Sequence, residues 1–187
     1  MGLFGWFGRD SKPLTIHDWE HYVGGEPDFG KGNVKSCSTE KPRYVITDQM
    51  QDRYVVYTES LATCLGVLIH GKGRQAGDVA ALVHALAGRI SEADRVKNVV
   101  KKLISNYDIQ NLEVIIVIGD QPDPELFNKI IKALMQFDII PDSNFRLMYG
   151  GEGEPDFENG FKNSKKYVSK IAYDTRHHGL FVGSEMK

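Results

Sequence analysis

Cys64 opens a short alternating run, Cys64-Leu65-Gly66-Val67-Leu68-Ile69-His70, in a chain whose only other cysteine is Cys37. A thiol there is either a small core side chain or a nucleophile. The second role needs a base or positive group close by to make the thiolate. Six histidines are on offer: His17, His21, His70, His84, His177 and His178. His70 shares a strand face with Cys64, but at roughly 3.3 Å per residue it stands about 20 Å away, too far for proton transfer. His84 follows the turn Lys-Gly-Arg-Gln-Ala-Gly. If Asp78 to Ala85 returns as a strand beside the first, Cys64 and His84 can meet.

The remaining histidines and glycines are less promising. His177-His178 fall in a predicted hairpin turn and are expected to face solvent. No metal-ligand cluster is visible in the sequence, and a thiol mechanism requires none, so neither cofactor nor metal is expected. Gly71 to Gly77 lacks the spacing of a phosphate-binding loop.

The elements that must position these residues follow from periodicity. Arg43 to Thr47 and Arg53 to Thr58 read as strands around an Asp-Gln-Met-Gln-Asp turn. Thr63 to Gly71 is the next strand, while Asp78 to Gly88 is equally consistent with strand and helix. Val96, Val99, Val100, Leu103 and Ile104 form one apolar helical face, with Ser91 and Asp94 as a capping box. Leu112 to Asp120 is a continuous apolar run, expected as a buried strand. Asp123 and Pro124 then supply an N-cap and a proline at the first helical position. The helix they open carries Leu126, Phe127, Ile130, Ile131 and Leu134 on one face. A strand over Asn144 to Tyr149 and a closing hairpin from Tyr167 to Gly183 complete the order. The expected class is α/β in the α+β sense: a mixed β-sheet or sandwich with two main helices on one side.

At 187 residues with 41% hydrophobic and 26% charged residues, the chain suits an ordinary globular protein. A net charge of −2, without a basic block, disfavours nucleic acid as a partner. Two cysteines make no disulfide framework, so a reducing compartment is expected. No apolar run approaches the roughly 20 residues of a membrane span. Residues 1–42 are read as an N-terminal extension, mostly loop, with one short helix capped by Thr15. Its apolar start, with Leu3, Phe4, Trp6 and Phe7, docks on the protein's own surface or, less favourably, touches a membrane or partner. The segment Gly-Glu-Pro-Asp-Phe occurs at Gly25–Phe29 and again at Gly153–Phe157, too short an echo to mark a structural repeat.

The stretch from Arg43 to Gly183 resembles the CheD family of chemoreceptor glutamine deamidases. The likeness is carried by a strand ending in Thr58, five residues, Cys64 opening the next strand, and a short turn before Ala80-Ala81-Leu82-Val83-His84. It continues through the helix–strand–helix order, Gly150–Gly151 and the hairpin with Ala172-Tyr173-Asp174-Thr175. The bacterial cytotoxic necrotizing factors are similar in fold and Cys–His chemistry. The chain departs from the family at Ala62-Thr63, where Gly-Ser is usual, and at Ala80-Ala81, where Gly-Gly is usual.

The resemblance implies a deamidase domain over residues 43–187 with catalytic Cys64, His84 and Thr58. It would convert a protein glutamine to glutamate with release of ammonia. His84 would take the Cys64 proton, backbone N–H groups near Cys64 would hold the oxyanion, and Thr58 would orient His84. Cys64 Sγ is then expected within about 4 Å of one His84 nitrogen, with Thr58 at the other. The implied partner is a protein bearing a reactive glutamine, a chemoreceptor or another helical target, together with a regulatory protein, in the cytoplasm. Two other readings stay open. One is a secreted effector that deamidates a host protein in the host cytosol. The other is a CheD-like regulatory binding module without catalysis.

Overall fold

Period-2 alternation dominates the middle of the chain, and the computed structural model turns it into two stacked five-stranded sheets. The structure describes residues 15–18, 32–120, 123–149 and 166–186. The apolar N-terminal arm, His21, Gly150–Gly151 and both Gly-Glu-Pro-Asp-Phe segments lie outside them. The first sheet has the order β1 (Thr15–Asp18), β10 (Gly179–Met186), β9 (Lys166–Asp174), β4 (Val55–Thr58) and β2 (Val34–Cys37). The second has the order β3 (Tyr44–Asp48), β6 (Gly77–Ala85), β5 (Leu65–Gly73), β7 (Leu112–Ile118) and β8 (Phe145–Tyr149). Three pairs are parallel, β1/β10, β2/β4 and β7/β8, and the rest antiparallel. The α+β class read from the sequence is the class observed.

Alternate residues of the second sheet serve two cores. Leu65, Val67, Ile69, Val79, Ala81, Val83, Val114 and Ile116 face the helices α1 (Ser91–Tyr107) and α2 (Pro124–Leu134). Leu68, Ala80, Leu82, Ile115 and Val117 face Val56, Ile171, Tyr173 and Leu180 of the first sheet. This sheet is buried on both faces, which is why β7 from Val114 and the start of β5, Leu65 to Ile69, read as largely apolar runs. It also resolves Asp78 to Ala85 as a strand, because β6 is central and every residue after Gly77 is buried.

Local signals fared unevenly. Asp123 caps α2 as expected, accepting from the Glu125 and Leu126 N–H groups. The capping box at Ser91 does not form. Residue Ile90 precedes the helix without a side-chain cap, and the first-turn N–H groups of Glu92 and Ala93 donate instead to the carbonyls of Arg89 and Ile90. The short helix expected after Thr15 is also corrected. Thr15–Asp18 is a strand, parallel to β10 from Thr15↔Gly179 to Asp18↔Val182; sheet pairing overrides the local helical pattern. Of the extension 1–42, the described residues thus supply the two edge strands of the first sheet, β1 and β2, rather than loop alone.

Candidate functional site

Thr58 is the last residue of β4 in the first sheet, and His84 lies near the end of β6 in the second. Parallel pairing sets Cys37 of β2 opposite Thr58. At this end the sheets converge enough for direct hydrogen bonds. Thr58 Oγ1 donates to the Cys37 carbonyl at 2.8 Å and lies 2.8 Å from His84 Nδ1. A hydroxyl has one proton. Since that proton goes to the Cys37 carbonyl, His84 Nδ1 must be the donor to Thr58, and the imidazole carries its lone pair on Nε2. All three residues are buried, and His84 Nε2 has no hydrogen-bond partner among the described residues.

Cys64 sits one residue before β5. Gly66 stands directly opposite His84, so Cys64, two residues earlier, lies on the same sheet face as a diagonal neighbour. Such neighbours have Cα atoms about 7–8 Å apart, within side-chain reach. No hydrogen bond joins the thiol to the imidazole, since Nε2 is without a partner. The structure therefore brings Thr58 and His84 into contact and places Cys64 on their face without a hydrogen bond between Cys64 and His84 Nε2.

The loop that delivers Cys64 is held tightly. Ser60 has φ of 61°, a left-handed conformation costly for a residue with a side chain. Leu61 N–H donates to the Ser169 carbonyl at 3.1 Å, and Cys64 N–H donates to the Leu61 carbonyl at 3.0 Å. The amide of Cys64 is thus engaged in a turn, and an oxyanion would have to draw on other donors. Gly119, just after β7, lets the loop lie against the sheet: a Cβ there would fall 1.8 Å from Leu61 O and 2.6 Å from Ala62 O.

Electrostatics set the resting state of the base. Burial lowers the pKa of His84, opposed by the charge of Glu92. Glu92 is fully buried in the first turn of α1, held by Arg43 Nη1 at 2.9 Å and Arg95 Nε at 2.7 Å. Its carboxylate favours the imidazolium that forms when His84 accepts a proton. The sequence offered no sign of this, because Glu92 reads as an ordinary first-turn acid.

Cys37 is corrected as well. It is not a loop cysteine but the buried end of β2, with Sγ donating to the Leu82 carbonyl at 3.5 Å. Burial pushes its thiol up to about 12, against lowering hydrogen bonds from Thr58 and the His84 backbone. With iodoacetamide, Cys37 is expected to stay unmodified from pH 6 to 9 in the folded protein while Cys64 reacts. Peptide mapping after alkylation checks this; equal labelling of both cysteines with equal pH profiles would make Cys64 merely structural.

The histidines set aside in the sequence lie elsewhere. His177 is exposed, with Nδ1 2.7 Å from Asp174 Oδ2. His178 does not face solvent as expected: its φ of 53° turns it inward, onto Asp78 Oδ2 at 2.9 Å and Tyr173 Oη at 2.7 Å. His70 is buried in the same group. The expectation of no metal-ligand cluster is corrected here too, since donor atoms of His70, Asp78 and His178 lie within 4.8 Å of one another. Among the described residues no helix is long and apolar enough to cross a membrane.

What fold and site define together is an α+β sandwich whose two sheets are joined at one end by a buried Thr58–His84 hydrogen bond, with a cysteine on the same face. Compared with models of known protein families and with curated proteins, the chain matches none.

Proposed function

We propose that the protein is a cysteine-dependent protein-glutamine deamidase, with Cys64 as nucleophile, His84 as general base and Thr58 as the residue that orients the base. The observation carrying this reading is the chain from the Cys37 carbonyl through the Thr58 hydroxyl to His84 Nδ1. It leaves the Nε2 lone pair without a partner among the described residues, on the sheet face that Cys64 shares.

His84 Nε2 takes the Cys64 proton as sulfur attacks the side-chain amide carbon of a glutamine. The proton passes to the departing nitrogen, ammonia leaves, and a thioester remains. His84 then draws a proton from water, which attacks the thioester to give glutamate and restore the thiol. Burial favours the neutral form of His84 at rest, the form that can accept a proton. The target is a glutamine-bearing protein, a chemoreceptor or another helical protein of the cytoplasm. The test is intact-mass measurement of candidate targets after incubation, looking for the gain of about one mass unit that amide hydrolysis produces. A panel of targets left unchanged by wild-type protein would favour the non-catalytic regulatory module, a reading consistent with the low exposure of Cys64 at 6%.

The pH dependence has a definite sign. A base whose pKa is lowered stays neutral, and so competent, below the ordinary histidine value of about 6.5. The acid limb of kcat/KM is therefore expected below pH 6.5, and Glu92→Gln should move it further down by removing the charge that supports the imidazolium. The same shift makes stability complete above about 6.5 and lost as pH falls from there through the lowered value. A pH–rate profile with its acid limb at or above 6.5 would contradict this assignment of the base.

A further inference from the structure

At the end of β5 and β6 remote from Cys64, four polar side chains meet between the sheets. His70 comes from β5, Asp78 from β6, Tyr173 from β9, and His178 from the turn between β9 and β10. His70, Asp78 and Tyr173 are buried, and the His178 side chain keeps 21% exposure, the opening through which a small solute can enter. Tyr173 Oη donates to Asp78 Oδ2 at 2.6 Å and lies 3.3 Å from His70 Nδ1 and 2.7 Å from His178 Nδ1. His178 Nδ1 is also 2.9 Å from Asp78 Oδ2. The His70 ring stacks on Tyr173 with centroids 4.8 Å apart.

We propose that His70, Asp78, His178 and Tyr173 form a binding site for one divalent transition-metal cation of the zinc class. Two imidazoles, a carboxylate and a phenol oxygen suit zinc, cobalt or nickel. Calcium and magnesium require six or more oxygens and are poorly served. Tetrahedral bonds of 2.0–2.1 Å set donor atoms about 3.3 Å apart. Four of the donor pairs lie 2.6 to 3.3 Å apart, and the donor atoms of His70, Asp78 and His178 all lie within 4.8 Å of one another, so modest side-chain adjustment brings the set to that spacing. The cation enters by displacing the protons that hold the short contacts together, which leave to solvent. Binding at His70 Nδ1 confines its remaining proton to Nε2, a buried atom with no hydrogen-bond partner among the described residues. That atom faces Glu113 Oε2 at 3.8 Å, and Glu113 is in turn 3.7 Å from Arg146 Nη2. A carboxylate behind the outer nitrogen of a ligating histidine is the usual support of such sites.

The four donors come from both sheets, so the cation cross-links them. It lies about 20 Å along β5 from Cys64 and takes no part in the thiol chemistry.

The test uses the full chain stripped with chelator and then titrated with Co²⁺, followed by visible absorption and zinc competition. Wild-type protein is expected to take one equivalent with a four-coordinate cobalt spectrum. The melting temperature should rise by about 5–10 °C at a hundredfold excess over Kd. His178→Asn tolerates the left-handed φ, and Asp78→Asn keeps the carboxylate shape. Each should weaken binding by at least about 100-fold, and metal-free melting curves show whether either variant is folded. His177→Ala, on the same turn, and Cys64→Ser should bind as wild type does. Wild-type protein that takes up no cobalt and shows no thermal shift overturns the proposal. So does affinity unchanged in both His178→Asn and Asp78→Asn, or lost in His177→Ala. None of these readouts needs a glutamine substrate, so they stand or fall apart from the deamidase reading.

Discussion

Cys64→Ser is expected to lower the conversion of glutamine to glutamate by roughly 10⁴-fold or more, with the melting temperature held within a few degrees. Serine matches cysteine in shape but is a far weaker nucleophile at neutral pH. His84→Ala should cost as much, because nucleophile and base act as a unit. Thr58→Ala should cost less. It removes a hydrogen bond to a group that becomes charged, worth about 1.5–3 kcal/mol, or roughly 10- to 150-fold in rate. It also frees the Cys37 carbonyl and lets His84 adopt the wrong tautomer. His177→Ala, exposed and paired only within its own turn, should leave turnover unchanged. His70→Ala should leave the chemistry intact but lower stability, since His70 is fully buried and stacked on Tyr173. A Cys64→Ser protein that still deamidates would end the thiol mechanism. A dead His70→Ala beside an active His84→Ala would move the base to β5.

Gly119→Ala is expected to destabilise the fold by about 3 kcal/mol, the upper part of the range for overpacking. At this chain length that lowers the melting temperature by roughly 6–12 °C. The added methyl meets the backbone carbonyls of Leu61 and Ala62, which cannot swing aside as a side chain can. Relief requires moving the loop that presents Cys64, so deamidation should fall even where the protein remains folded. Gly66→Ala is the comparison. Its Cβ meets the side-chain ends of Leu61 at 3.2 Å and Ile171 at 3.4 Å, and a cost of about 1 kcal/mol is expected. Thermal melts of the two variants check the order; equal melting temperatures would mean that the loop yields freely at Gly119.

What the sequence determined by itself was whatever is written in consecutive residues. Asp123-Pro124 specified the start of α2, because cap and first-turn proline act within one turn of chain. The apolar faces of α1 and α2 and the run Leu112 to Ile118 were legible because burial imposes its period directly on side-chain type. Cys64 and His84 could be paired in the sequence because their spacing needs only two neighbouring strands to interpret, whereas Thr58 was implied by the family resemblance and lies in the other sheet. Only the tertiary structure decided what depends on partners distant in the chain. Thr15 to Asp18 became strand because β10, far along the sequence, offered an edge. Cys37 came to lie beside Thr58 through a parallel pairing that no local pattern announces. Glu92 carries no local sign of burial, and only the fold encloses it between Arg43 and Arg95. His70 and His178, 108 positions apart in number, met over Asp78 and Tyr173 because two sheets stack there. Side-chain chemistry is local, but burial and proximity belong to the packed sheets, and these decide which histidine is a base, which a candidate ligand and which a surface residue.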